Sequence, residues 1–247
     1  MKQDTDMNRR QFLGKAAATA GLAIAPGVML YEAQARPADQ AATSKQRWGM
    51  LINTAKCEAG CDDCVTACKT ENGWGSTETK SSPEQQAQWI RKVKLTDKQT
   101  GHVQSLPLMC QHCEKPPCVD VCPTGASMKR DDGIVLVDKH ICIGCRYCMM
   151  ACPYKARSFI HEPLENQKPH APRGIGTVES CTMCVHRVDK DGTPACVESC
   201  NDKGHKAMYF GNLNDPGSEI SLQLKKFGGE QIRADLGLNT GVRYQGL

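Results

Sequence analysis

Aromatic side chains are scarce in this sequence. Phe, Trp and Tyr supply 5% of its 247 residues, so ring packing cannot dominate the core. Long apolar runs are missing too. The longest uncharged, mostly apolar stretch, residues 16–31, falls short of the ~20 residues that a membrane-spanning helix needs. No block of five or six basic residues occurs, and 31 basic against 27 acidic residues leave a net charge of only +4; no nucleic-acid partner is expected. There is no phosphate-binding glycine loop, nucleophile elbow or metalloprotease helix, so none of those catalytic sites is expected. Balanced charge signs exclude a disordered polyelectrolyte. Something other than side-chain packing must hold the middle of the protein together.

Cysteine is what the chain has in quantity. All 16 cysteines fall into four groups with none left over. Group one is Cys57, Cys61, Cys64 and Cys68; group two is Cys110, Cys113, Cys118 and Cys122. Group three is Cys142, Cys145, Cys148 and Cys152; group four is Cys181, Cys184, Cys196 and Cys200. Group three has the Cys-x2-Cys-x2-Cys-x3-Cys-Pro spacing of bacterial ferredoxins. Three thiolates on one tight loop reach three irons of a single cubane, and the loop's N–H groups point inward at the sulfides. The fourth cysteine, a turn further on, faces away and serves a neighbouring cluster. Group two keeps this logic with a longer second gap and also ends in Cys122-Pro123.

Cross-ligation then gives four expected sites. Cys110, Cys113, Cys118 and Cys152 hold one cluster, and Cys142, Cys145, Cys148 and Cys122 a second. Groups one and four pair likewise, as Cys57, Cys61, Cys64 with Cys200 and as Cys181, Cys184, Cys196 with Cys68. No ligand position is replaced by Asp, Trp or Ser, so the expected cofactors are four 4Fe-4S clusters and no three-iron centre. An oxidised cubane carries about −2, so four of them would reverse the chain's charge. Disulfides and zinc knuckles account less well for triple-cysteine loops. Covalent haem needs Cys-x-x-Cys-His, which is absent. Cys110-Gln111-His112 and Cys184-Val185-His186 each resemble half of a Rieske motif whose other half is missing. His112 and His186 therefore read as packing or hydrogen-bonding residues.

The expected fold class is α+β, with two ferredoxin-like modules related by a pseudo-twofold. Residues 110–152 form the inner module; 36–109 with 153–247 form the outer one. Trp48–Asn53 reads as a strand. Residues 89–95 and 102–108 read as an inserted hairpin, and Ile134–Val137 as a strand after a turn at 130–133. Each fourth cysteine is expected in a short helix. Residues 155–180 read as a long loop with His161 and His170 solvated. Ser218 should cap a helix ending at Phe227, before Gly228-Gly229, and residues 236–247 read as an extended strap.

The N-terminus reads as an address. Asn8-Arg9-Arg10-Gln11-Phe12-Leu13 resembles the twin-arginine export pattern, and Ala33-Gln34-Ala35 fits a small-x-small cleavage site. Residues 1–35 are accordingly excluded from the fold as a signal, cleaved or retained. That route carries folded proteins, which suits a cofactor inserted before export. The expected location is periplasmic, with a partner holding the chain at the cytoplasmic membrane.

From Cys57 to about Pro216 the chain resembles the four-cluster electron-transfer subunits of the complex iron–sulfur molybdoenzyme family and its molybdenum-free relatives. The four cysteine spacings and Phe210-Gly211-Asn212-Leu213-Asn214-Asp215-Pro216 carry that resemblance. Within the family it is most similar to the periplasmic iron–sulfur subunits of sulfite-reduction-associated Dsr membrane complexes. The resemblance implies single-electron relay without a substrate site. It implies a polysulfide-reductase-type, quinone-interacting membrane subunit as partner, with a multihaem cytochrome c in the Dsr case. The nearest alternative is the iron–sulfur subunit of a thiosulfate, tetrathionate or polysulfide reductase, whose partner is a molybdenum catalytic subunit. A non-redox zinc or disulfide scaffold is the alternative of a different class. The resemblance further implies a wire whose membrane end is the Cys110 cluster, followed by those of Cys142, Cys181 and Cys57. Two features depart from the family pattern: the Cys57–Cys61 gap is one residue longer, and Asn201 stands where proline is common after Cys200.

Overall fold

Met50, Leu51 and Ile52 make a short continuous apolar run, and all three are at most 1% exposed. Such a run suits a strand covered on both faces. They lie in β1 (Trp48–Asn53), the middle strand of a three-stranded sheet. In this computed structural model, residues 42–75, 82, 85–165 and 167–247 are described. They belong to a unit spanning residues 40–247. The export-signal reading, residues 1–35, lies outside the described residues. Among the described residues no helix is long and apolar enough to cross a membrane.

The sequence pattern gives most of the strands. The hairpin comprises β2 (Ile90–Thr96) and β3 (Val103–Met109), paired antiparallel from Ile90↔Met109 to Thr96↔Val103. Asp97 closes its turn by accepting from the Gln99 N–H. A second hairpin pairs β4 (Ser127–Lys129) with β5 (Val135–Val137). Inside the long loop, β6 (Ser158–Phe159) meets β7 (Val178–Glu179). β8 (Met208–Asn212) lies antiparallel to β1, and β9 (Val242–Gln245) parallel to its other edge. The expected C-terminal strap is thus partly a sheet strand. Tyr244 on β9 is fully buried, donates to Pro107 O at 3.1 Å and accepts from Gln111 Nε2. That tie anchors the strand to the hairpin, and no local pattern announces it.

Six helices are described: α1 (Asp63–Asn72), α2 (Pro117–Asp120), α3 (Tyr147–Ala151), α4 (Val185–Val188), α5 (Ala195–Asp202) and α6 (Glu219–Phe227). The Ser218 hydroxyl caps α6 by accepting from Ser221 N. α1 packs on α5, and α2 on α3. Cysteine groups one and four therefore share one helix pair, and groups two and three the other. Cys68 and Cys200 lie within their helices, whereas Cys122 and Cys152 fall just beyond the ends of α2 and α3. Pro123 and Pro153 give the reason. A proline disfavours helical geometry in the residue before it, and Cys152 is extended at φ −76°, ψ 111°. The main core includes ten of the cysteines together with Trp74, Trp89, Tyr154 and Tyr244.

Candidate metal centres

The strands and helices bring the sixteen thiols into four clusters. Cys57, Cys61, Cys64 and Cys200 line one cavity, and Cys68, Cys181, Cys184 and Cys196 a second. Cys122, Cys142, Cys145 and Cys148 line a third. Cys110, Cys113, Cys118 and Cys152 form the fourth group, in which Cys110 and Cys113 both feel Cys118 and Cys152 electrostatically. All sixteen are free thiols.

A backbone feature recurs in all four. The residue just before the second cysteine of each loop has positive φ: Gly60 (+87°), His112 (+44°), Gly144 (+71°) and Met183 (+56°). Left-handed residues of this kind turn successive N–H groups into one concavity, the form that anions and iron–sulfur groups occupy. The longer Cys57–Cys61 loop keeps that turn at Gly60, so its extra residue precedes the shared geometry. At Gly144 nothing larger fits: a Cβ would lie 2.1 Å from Gly176 O.

Hydrogen-bond donors converge on the sulfurs. Lys92 Nζ donates to Cys57 Sγ at 2.8 Å, Arg157 Nη2 to Cys118 Sγ at 3.1 Å, and Trp74 Nε1 to Cys68 Sγ at 3.2 Å. The backbone N–H groups of Ser127, Met183 and Val178 reach Cys122, Cys181 and Cys142 at 3.3, 3.3 and 3.5 Å. Burial pushes the Cys64, Cys68, Cys110 and Cys113 thiols up to about 12. Cys122 goes the other way. Burial alone would raise it, but hydrogen bonds from the Ser127 N–H, the Thr124 hydroxyl and the Thr124 and Ala126 N–H groups together lower it.

Several buried polar atoms next to these sulfurs lack any protein partner among the described residues. They include Trp89 Nε1 beside Cys68, Ser127 Oγ beside Cys122, and Arg157 Nε and Nη1. His112 Nε2 is another. Its Nδ1 accepts from Val135 N–H, and burial holds the ring neutral with its pKa near 3, so the orphaned Nε2 carries the proton. Orphaned buried groups are rare in folded proteins. Four thiols, a concave N–H loop and orphaned donors at one place fit an anionic, sulfide-rich metal cluster.

The quartets succeed one another in a row. Cys64 and Cys68 share α1, Cys181 feels Cys110, and Cys118 feels Cys148. The order is the Cys57, Cys68, Cys110 and Cys142 quartets. The expected order, with the Cys110 quartet at an end, is corrected: all four of its thiols are buried between neighbours. Only the end quartets contain cysteines that are not buried. Cys145 is exposed, Cys57, Cys61, Cys122 and Cys142 are half-buried, and the other eleven are buried.

Lys92, Trp74 and Arg157 escape a reading of the sequence, because a lone lysine on a strand or an arginine five residues past a cysteine has no local signature. His186 hydrogen-bonds as expected, its Nε2 donating to Glu71 Oε1 at 2.7 Å. His170 is exposed, as expected of a loop residue, and its ring also lies against that of His186, tilted by 30° with centroids 4.0 Å apart. Arg187 Nε donates to the same Glu71 oxygen at 3.0 Å, so this group is a clamp between α1 and α4 with its own cation in place.

Thiol quartets on ferredoxin-type loops define an iron–sulfur electron carrier. Residues 56–126 and 102–213 each match a family described as a 4Fe-4S dicluster domain. The chain is 40% identical to the Hdr-like menaquinol oxidoreductase iron-sulfur subunit 1 of Archaeoglobus fulgidus, over 98% of both chains. It is 35% identical to a tetrathionate reductase subunit of Salmonella typhimurium, over 98% of this chain and 89% of the relative. With a sulfite dehydrogenase subunit of Allochromatium vinosum it shares 36% identity over 79% of this chain and 81% of the relative. The chain belongs to this family of 4Fe-4S electron-transfer subunits of oxidoreductase complexes.

Proposed function

We propose that this protein is a four-cluster relay, each thiol quartet holding one 4Fe-4S cluster, that passes single electrons between a quinone-interacting membrane subunit and a redox partner. The observation that carries this is the row of four quartets, whose partly exposed cysteines are confined to its two ends. Each cluster supplies reversible one-electron storage. The chain's own task is to space the centres and to set their potentials through burial, charge and hydrogen bonds to sulfur.

Exposure selects Cys145 as one terminus. Ile143, Tyr147 and Met150 beside it are 68%, 53% and 67% exposed, a density of large apolar side chains that suits a protein interface. We assign this face to a polysulfide-reductase-type membrane subunit. The Cys57 end faces the other partner. The name of the menaquinol oxidoreductase relative, alike over nearly the full length of both chains, favours quinone linkage; a Dsr-type complex with a multihaem cytochrome c is our first reading of the assembly. The tetrathionate reductase relative supports the second reading, a molybdenum catalytic subunit at the Cys57 end. Under either reading the protein serves dissimilatory sulfur metabolism. The Arg9-Arg10 pair supports export to the periplasm by the twin-arginine route.

The test is anaerobic purification followed by metal and sulfide analysis. About sixteen irons and sixteen acid-labile sulfides per chain are expected. Iron near four, or stoichiometric zinc, would rule the relay out.

A further inference from the structure

Arg157 comes directly after Cys152-Pro153-Tyr154-Lys155-Ala156. The left-handed Lys155 (φ +50°) and the buried Ala156 turn the chain back inward there. The side chain is delivered between two quartets, and the residue is only 5% exposed. Nη2 donates to Cys118 Sγ of the Cys110 quartet at 3.1 Å. The guanidinium also reaches Cys148 of the Cys142 quartet, and its strongest electrostatic attractions are to Cys118, Cys110 and Cys148. Nε and Nη1 are buried and lack a partner among the described residues. A guanidinium so far from water needs anionic partners on its open sides, and neutral thiols do not provide them. Two anionic clusters, one on each side, do.

We propose that Arg157 is a shared positioning cation that raises the reduction potentials of the Cys110 and Cys142 centres together. This rests on the four-cluster reading above. An electron added to either centre adds negative charge near the same fixed guanidinium. In a buried, weakly screened setting that charge stabilises the reduced form strongly. Lys92 offers the contrast. It acts within one quartet, hydrogen-bonding Cys57 and attracting Cys64, in a half-buried place open to water and salt, where screening is greater.

The experiment is an EPR-monitored redox titration of the full-length protein in its purified complex, comparing wild type, Arg157→Gln and Lys92→Gln. Wild-type iron content is measured first. A low value refutes the four-cluster reading, whereas a full complement leaves Arg157 to be judged alone. In Arg157→Gln both the Cys110 and Cys142 centres should become at least about tenfold harder to reduce, or about 59 mV for a one-electron couple. The other two centres should hold their potentials. Lys92→Gln should move the Cys57 centre only, which identifies its signal. Unchanged potentials, a fall in one of the two centres only, or an equal fall in all four would overturn the proposal. If Arg157→Gln does not load its clusters, Arg157→Lys decides. It keeps the charge and should load both centres with near-wild-type potentials; failure to load, or a tenfold loss in either centre, overturns the proposal.

Discussion

Four residues immediately before a cysteine set the shape of the centres. Gly60, His112, Gly144 and Met183 all adopt positive φ, although only two of them are glycine. For His112 and Met183 that conformation costs free energy of order 1 kcal/mol each. The strain sits where a functional group is to be bound, which is where such strain is usually found. The two glycines are legible as turn formers in the sequence, whereas His112 and Met183 are not: histidine enters the left-handed region more readily than most side chains but is no turn signal by itself, and methionine enters it rarely. Gly144 is the most constrained, because positive φ and the nearby Gly176 O both exclude a side chain. Gly144→Ala should therefore cost about 1–3 kcal/mol locally. Iron content should fall from about sixteen toward about twelve as the Cys142 centre fails to form. Full iron content with an unchanged melting temperature would show that the loop yields easily.

At the scale of elements, the residue after a cysteine decides how its helix ends. Cys122 and Cys152 precede proline and lie outside α2 and α3. Cys200 precedes Asn201, and α5 runs on to Asp202. The Cys–Pro junctions are legible in the sequence, and the restriction they impose on the preceding residue overrides the expectation of a helix over each fourth cysteine. Asn201 is therefore part of a helical turn that presents Cys200. Asn201→Pro would restore the common family residue and still harm this protein. It would remove a helical N–H and crowd Cys200, at a cost of about 3 kcal/mol. A drop in melting temperature and loss of the Cys57 centre's EPR signal are expected; a more stable variant would show that α5 ends before Cys200. Hairpins, strands and the capped α6 are readable from alternation and turn chemistry. β9 is not, because its burial comes from β1 and from Tyr244 reaching Pro107, contacts distant in sequence.

Over the whole molecule, the grouping of thiols is legible because ferredoxin spacing is a local constraint, whereas their order along the row depends on how helix pairs are placed. α1 with α5 and α2 with α3 set the Cys68 and Cys110 quartets side by side. That leaves the Cys57 and Cys142 quartets as termini. Electron entry and exit then depend on what docks at each end. The Cys145 end is apolar, and Ile143 and Met150 stand well clear of the protein surface. Burial of two such side chains in a partner is worth roughly 3–6 kcal/mol. Replacing both with aspartate places two charges in the interface, a larger penalty still. The Ile143→Asp, Met150→Asp double variant should weaken association with the membrane subunit by at least about 100-fold. Iron content should be kept and the other three centres should hold their potentials, whereas the Cys142 centre, whose cavity Ile143 lines, should become harder to reduce beside the new negative charge. The measurement is co-purification with the membrane fraction alongside metal analysis. If the double variant still fractionates with the membrane subunit, the Cys145 face is not the docking surface, and the Cys57 end, with its half-buried sulfurs, becomes the quinone-side terminus.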